Sequence, residues 1–240
     1  MVPHPVPYDT QYARYEFNQH GEDWILHILQ DKLNMIFDVG SNIGEWTKMA
    51  REFNPLSEIH TFEIIPETYK KLIKNLQGYH NIIPNGFGLA NFTGSLDMQF
   101  RPDCDTICSY LPTLEMENSS WIKGLVFKGD DYVKSRRINY IDYLKIDVEG
   151  SEQLVLEGFE NTLNEGKVGI IQFEHSEISV LANFLILDAY NLLKPLGYHL
   201  GRLCKGWVEF KEYSLKDEEF RSPDFIAVHD SKMDWLKSTT

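Results

Sequence analysis

Met35-Ile36-Phe37-Asp38-Val39-Gly40-Ser41-Asn42-Ile43-Gly44 sets a short apolar run against a glycine-bearing turn, after which Trp46, Met49 and Phe53 recur on one face of a helix. Strand, turn and helix in this order open a βαβ unit, with the strand at 35–39. Asn54-Pro55 then stops the helix, because proline cannot continue it.

The same alternation continues outward along the chain. A second strand, 59–62, ends at Glu63, and Pro66 begins a helix whose apolar face is Tyr69, Leu72, Ile73 and Leu76. A third strand is expected over 82–89, followed by a hairpin strand over 95–100, and residues 101–124 show no clear period. A short helix at 130–137 leads to a buried strand over 143–148, interrupted only by Lys145 and Asp147. One helix from 151 to 163, a strand at 168–173 and one helix from 178 to 193 follow. Two last strand candidates, 198–210 with an internal turn and 225–229, suit an antiparallel edge. The whole reads as an α/β, Rossmann-like domain spanning 1–240, with 1–34 as an N-terminal arm and helix and 101–124 as a substrate lid or a mobile connection.

Composition narrows the partners. A chain of 240 residues with 42% hydrophobic content fills one core. Its formal net charge of -13 opposes a nucleic-acid footprint, which needs clustered lysine and arginine. A neutral or cationic partner is easier to accommodate. The start of the chain lacks the basic-then-apolar pattern of a secretory signal, and the longest apolar stretch, Ile178 to Leu187, is far shorter than a membrane span. With Cys104, Cys108 and Cys204 read as reduced thiols, the expected location is the cytoplasm.

Polar residues collect at successive strand ends: Asp38, Glu63, Asp147 with Glu149, and Glu174 with His175. In a doubly wound sheet those ends face one crevice. The first turn reads G-x-x-x-G rather than the G-x-G-x-x-G of dinucleotide folds, so Asn42 stands where a pyrophosphate needs glycine. A phosphate-free ligand with an amino-acid end and a nucleoside fits this turn better than a nicotinamide dinucleotide. Gly40 and Gly44 permit close approach, and the Glu63 carboxylate suits two ribose hydroxyls.

Three segments, Phe37-Asp38-Val39-Gly40-Ser41-Asn42-Ile43-Gly44, Phe62-Glu63-Ile64-Ile65-Pro66-Glu67 and Leu144-Lys145-Ile146-Asp147-Val148-Glu149-Gly150-Ser151-Glu152, resemble in order and spacing the FkbM-type S-adenosylmethionine-dependent methyltransferases. Weaker matches at Asn18-Gln19-His20-Gly21-Glu22-Asp23, Gly94, Asp130-Asp131-Tyr132-Val133 and Phe173-Glu174-His175 extend the resemblance over roughly residues 18 to 200. Ser41 departs from the alanine common in the first motif, one small residue for another. The resemblance implies a class I methyltransferase fold: a mostly parallel seven-stranded sheet with an antiparallel edge and helices on both faces. It further implies S-adenosylmethionine as cofactor and O-methylation of a sugar, glycan or related metabolite. Alternatives are an N-methyltransferase on a peptide amide or amine, and a non-catalytic adenosyl-ligand binding subunit.

On that footing the cofactor-binding residues are Gln19, Asp38, Gly40, Ser41, Asn42, Gly44, Glu63, Ile64, Gly88 and Asp147. Asp147 is the first candidate for base or acceptor orientation, His175 the second, and Glu149 stands beside them. No metal is required; were a hard divalent cation used, Asp147, Glu149 and Glu174 would hold it. Plainer roles stand beside these. Asp38 caps the turn that follows it, Glu149 caps the helix near Ser151, Lys145 snorkels or forms an ion pair, and Gln19 and Glu22 order a cofactor lid or lie on a surface arm. The expected partners are a small-molecule or saccharide substrate and, as one possible assembly, a homodimer.

Overall fold

The computed structural model describes residues 21–100, 111, 119–220 and 224–237. In chain order the elements are α1 (Glu22–Ile28), β1 (Met35–Val39), α2 (Glu45–Phe53), β2 (Glu58–Phe62), α3 (Pro66–Asn75), β3 (Ile82–Asn85), β4 (Gly88–Ala90), β5 (Gly94–Phe100) and β6 (Ser120–Lys128). They continue with α4 (Gly129–Arg136), β7 (Ile141–Ile146), α5 (Glu152–Gly158), α6 (Glu160–Asn164), β8 (Val168–Glu174), α7 (Glu177–Ala182), α8 (Ile186–Leu193), β9 (Tyr198–Cys204), β10 (Trp207–Phe210), β11 (Asp224–His229) and α9 (Met233–Lys237). Among the described residues no helix is long and apolar enough to cross a membrane.

The main sheet has the order β10-β9-β11-β8-β7-β1-β2-β3. Strands β3, β2, β1, β7 and β8 are parallel, and β11, β9 and β10 complete it antiparallel. The sheet therefore has eight strands where seven were expected, because the tail supplies both arms of a hairpin, β9 and β10. Every residue of β7 is buried, as are the four last residues of β1, since helices cover both faces. Alternate residues feed two cores. Phe37 and Val39 face α5 and α8 through Val155, Leu156, Phe159 and Ile186. Ile36 faces α1 and α2 through Ile25, Leu26, Trp46 and Met49.

Four expectations need correction. The strand expected over 82–89 breaks into β3 and β4; Pro84 lacks the N–H that continued pairing needs, and β3 is accordingly an edge strand. Gly94–Phe100 does not pair with β3 or β4 but runs antiparallel to β6, giving a small sheet of order β4-β6-β5. Residues 120–124, assigned to the loop without period, form the first half of β6. The two long helices at 151–163 and 178–193 are each divided: α5 ends where Gly158 packs on the Ala90 carbonyl, and Asn183 adopts φ 53°, a left-handed conformation asparagine tolerates, between α7 and α8. Residues 1–20, 101–110 and 112–118 lie outside the described residues, which leaves most of the expected arm and lid there, with Cys104 and Cys108; Cys204 is a free, half-buried thiol.

The turn after β1 fixes the geometry of everything above it. Gly40 has φ 86°, and a β-carbon there would collide with the Asp147 carbonyl at the end of β7. The N–H groups of Gly40 and Ser41 both donate to the Phe62 carbonyl at 3.0 Å, and the Ser41 hydroxyl accepts from the Phe62 N–H at 2.9 Å. The turn is thus wedged between β2 and β7. Gly40→Ala is expected to lower stability by about 2–5 kcal/mol, from a forced left-handed φ and a strand pushed aside. Urea denaturation measures it, and a loss below about 1 kcal/mol would contradict the wedge.

Candidate active site

Because side chains alternate along a strand, the sheet face under α1 and α2 is built in tiers. Ile36, Tyr143, Ile170 and Val228 are cross-strand neighbours and form an apolar lower tier. Two residues further on, Asp38, Lys145, Gln172 and Ile226 form a middle tier in which three members are polar. Two residues beyond that come Gly40, Asp147, Glu174 and Asp224 at the strand ends, with Glu174 and Asp224 paired in register. Polarity rises toward the C-terminal edge.

The middle tier is sealed from water and internally bonded. Lys145 Nζ donates to Asp147 Oδ2 at 2.7 Å, its side chain 5% exposed against 40% for that of Asp147. Gln172 Nε2 donates to Glu22 Oε1 at 2.8 Å, and the Tyr143 hydroxyl donates to Gln172 Oε1 at 2.6 Å. The Thr47 hydroxyl donates to the Asp38 carboxylate, and the Trp46 ring lies 5.6 Å from Lys145 Nζ. Burial opposes the Lys145 ammonium, but Asp147, Glu22 and Asp38 outweigh it and raise its pKa. Burial and then Asp224 hold Glu22 well above the usual carboxylate range. Glu22 is therefore neither a lid nor a surface residue: α1 carries it into the base of the site.

Above these tiers opens a cavity. Of the residues expected to bind cofactor, Gly40, Asn42, Glu63, Ile64, Gly88 and Asp147 line it, joined by Glu149 and Glu174. Glu63 is buried, and its carboxylate is held on both oxygens: the Asn42 N–H donates to Oε2 at 2.9 Å and the Ile65 N–H to Oε1 at 2.8 Å. Two backbone donors thus fix the orientation of this carboxylate in the cavity wall. The opposite wall is apolar and comes from the small sheet through Leu89, Leu96, Met98 and Val126. Sequence reading missed this wall, although Leu96, Met98 and Phe100 alternate in β5, as Gly124 and Val126 do in β6.

Asp147, Glu149 and Glu174 converge, each offering an oxygen within 4.8 Å of the others. Burial, followed by repulsion from Asp147, pushes Glu149 up to about 8 and Glu174 up to about 9. Glu149, with φ 51°, turns the chain, while Glu152 accepts from the Val148 and Gly150 N–H groups at 3.1 Å each.

The other expected residues build the site from behind or stand apart. Asp38 is fully buried; its carboxylate accepts from Thr47, its carbonyl accepts from the Ser41 hydroxyl, and burial raises its pKa. Ser41 is the staple to β2 described above, and Gly44, with φ 90°, starts α2 against Leu72. None of these three reaches the cavity wall. His175 does not join Asp147. It follows Glu174 by one residue and so points to the opposite sheet face, fully buried, with Nε2 3.1 Å from Glu218 Oε2 and its ring 4.8 Å from that of Phe220. Gln19 lies outside the described residues.

Comparison with known proteins adds independent findings. The methyltransferase FkbM domain model matches residues 38–200. The chain is 28% identical over 156 residues to hexuronic acid methyltransferase AglP of Haloferax volcanii, a match covering 63% of this chain and 62% of the relative. It therefore spans less than two thirds of that relative's length. A methyltransferase FkbM from Methylobacillus flagellatus KT superimposes with a TM-score of 0.53 at 14% identity, covering 91% of this chain and 50% of that one. Precorrin-6y C5,15-methyltransferase from Geobacter metallireducens GS-15 gives 0.50 at 13% identity, covering 87% and 86%. At such identities the structures speak for the fold, a class I methyltransferase sheet with one strand added. With the domain model matching well over half of its length, the chain belongs to the FkbM methyltransferase family.

Proposed function

We propose that the chain is an S-adenosylmethionine-dependent O-methyltransferase acting on a hydroxyl of a sugar, glycan or related small metabolite. One observation carries this reading: an oriented carboxylate, Glu63, and a second carboxylate, Asp147, face one cavity from the ends of β2 and β7, with an apolar wall alongside. The chemistry of that set fits the cofactor. Glu63 suits ribose hydroxyls, Ile64, Leu89 and Met98 suit an adenine face, and Asp147 at the other end suits the sulfonium and the ammonium of the methionine part. The relative named for hexuronic acid methylation supports a saccharide acceptor.

When bound, S-adenosylmethionine supplies an electrophilic methyl group on sulfur. The protein's part is to align the acceptor and take its proton. Asp147 has the position for this, since it lines the cavity while Lys145 holds one of its oxygens. Glu149 and Glu174 complete the acceptor side with further hydrogen-bond acceptors. Gln19 would add a further cofactor contact, and the proposed location is the cytoplasm.

Glu63→Ala is expected to weaken S-adenosylmethionine binding about 10- to 100-fold, the worth of one or two charge-assisted hydrogen bonds, as measured by calorimetry. Unchanged affinity would remove Glu63 from the ribose site. Asp147→Asn is expected to lower turnover about 10²- to 10⁴-fold at saturating cofactor. The assay follows labelled methyl transfer to methyl β-D-glucoside, methyl β-D-glucuronide and a peptide amine, and exhaustive chelation is expected to leave the rate unchanged. Near-normal turnover in Asp147→Asn would exclude it as base; loss on chelation restored by Mg²⁺ would make the three carboxylates cation ligands. Transfer to the peptide alone would turn the reading to N-methylation, and binding without transfer to a non-catalytic subunit.

The raised carboxyls also set a pH dependence. From an ordinary value near 4.5 up to about 9, the folded protein holds a proton on Glu174 that the unfolded chain has released. Folding stability therefore falls as pH rises through that window. Glu174→Gln removes the disfavoured charge and is expected to raise the thermal midpoint more at pH 9 than at pH 5. Equal gains at both values would show that Glu174 is not held protonated by the fold.

A further inference from the structure

We propose that Lys145 is a positioning residue for the methyl transfer: its buried ammonium holds the Asp147 carboxylate in the rotamer that receives the acceptor proton. The inference rests on the reading of Asp147 given above and deepens it.

Three observations carry it. First, of the acids that surround it, the ammonium bonds to the one at the cavity. Lys145 sits between Asp38 on β1 and Gln172 on β8, under the Trp46 ring, while Asp38 is bonded to Thr47 and Gln172 to both Tyr143 and Glu22. The carboxylate that Lys145 Nζ reaches at hydrogen-bond distance is that of Asp147, two residues on along the same face. Second, the pair joins unequal environments. The lysine end is fixed in the interior at 5% exposure, and the aspartate end stands in the cavity at 40%. A carboxylate at a strand end has several staggered rotamers open to it; one tied to a lysine that cannot move has one. Third, Glu149 and Glu174 bring oxygens within 4.8 Å of Asp147. The ammonium beneath meets this crowded group of carboxyls at Asp147.

Stability alone gives a poor account of this lysine. A buried ion pair seldom outdoes an apolar residue of similar size, and the neighbouring tier shows the apolar alternative, with Ile36, Ile170 and Val228 around Tyr143. The charge is placed where it meets the cavity wall. From α1, Glu22 adds a further carboxyl to the lysine's surroundings.

The test is a double-mutant cycle on the full chain with Lys145→Met and Asp147→Asn, assayed on whichever of methyl β-D-glucoside and methyl β-D-glucuronide is turned over faster. Lys145→Met is expected to lower kcat at least 30-fold while changing the S-adenosylmethionine Kd less than 3-fold, and to have under a 3-fold effect once Asp147 is asparagine. Multiplicative losses in the double variant would overturn the proposal, as would a Lys145→Met enzyme with normal kcat. If Lys145→Met does not fold, Lys145→Gln enters the same cycle. A crystal structure of either variant provides a readout independent of any acceptor: Asp147 in an unchanged rotamer would overturn the proposal. Should Asp147→Asn itself remain active, the failure belongs to the reading of Asp147 as base, which the cycle separates from a failure of Lys145.

Discussion

The site depends on the absence of a side chain at residue 40. Gly40 lets the turn after β1 press against the Asp147 carbonyl, and the amides of Gly40 and Ser41 then reach Phe62 on β2. One close contact therefore sets three strand ends at once. From it follow the position of Asn42, whose N–H orients Glu63, and the start of α2 at Gly44. A larger residue would separate β1 from β7 and with it the two carboxylates that face the cavity.

Below that contact the sheet changes character tier by tier. Parallel strands buried on both faces ordinarily carry apolar residues throughout. Here the tier of Asp38, Lys145 and Gln172 interrupts the pattern, and its members bond to groups from α1, α2, β7 and the turn after β7, with Asp38 Oδ1 left without a partner among the described residues. Burying such groups is unfavourable unless each finds a partner. The arrangement therefore ties two helices and three strands to one electrostatic centre, with the ammonium of Lys145 at its middle. The acidic upper tier rests on it.

The small sheet has a different part. By diverting from β3 through Gly86 and Phe87, the chain forms β4 and pairs it with β6, so that Ile64 meets Gly88 and Gly124 closely. This encloses the apolar end of the cavity. Hydrophobic wall and carboxylate end are thus supplied by separate sheets, and the polarity of the ligand they suit is read from that division.

Much of this was legible in the sequence. The run 35–44, the carboxylates at 63, 147 and 174, and the βαβ order are local patterns with fixed periods, and each appears where expected. Parity along β8 even held the clue that His175 and Glu174 face opposite sides, a matter of one residue. Other features needed the tertiary structure. That β5 pairs with β6 is a contact between segments some twenty residues apart, with no local signature beyond alternation. That Glu22 enters the base of the site depends on how α1 packs across β8, and that Lys145 meets Asp147 rather than solvent depends on helices closing over the sheet. Sequence determined which side chains alternate and where strands end, because backbone geometry fixes those periods; only the fold decided which of them share a dry, charged interior, because burial is a property of the whole chain.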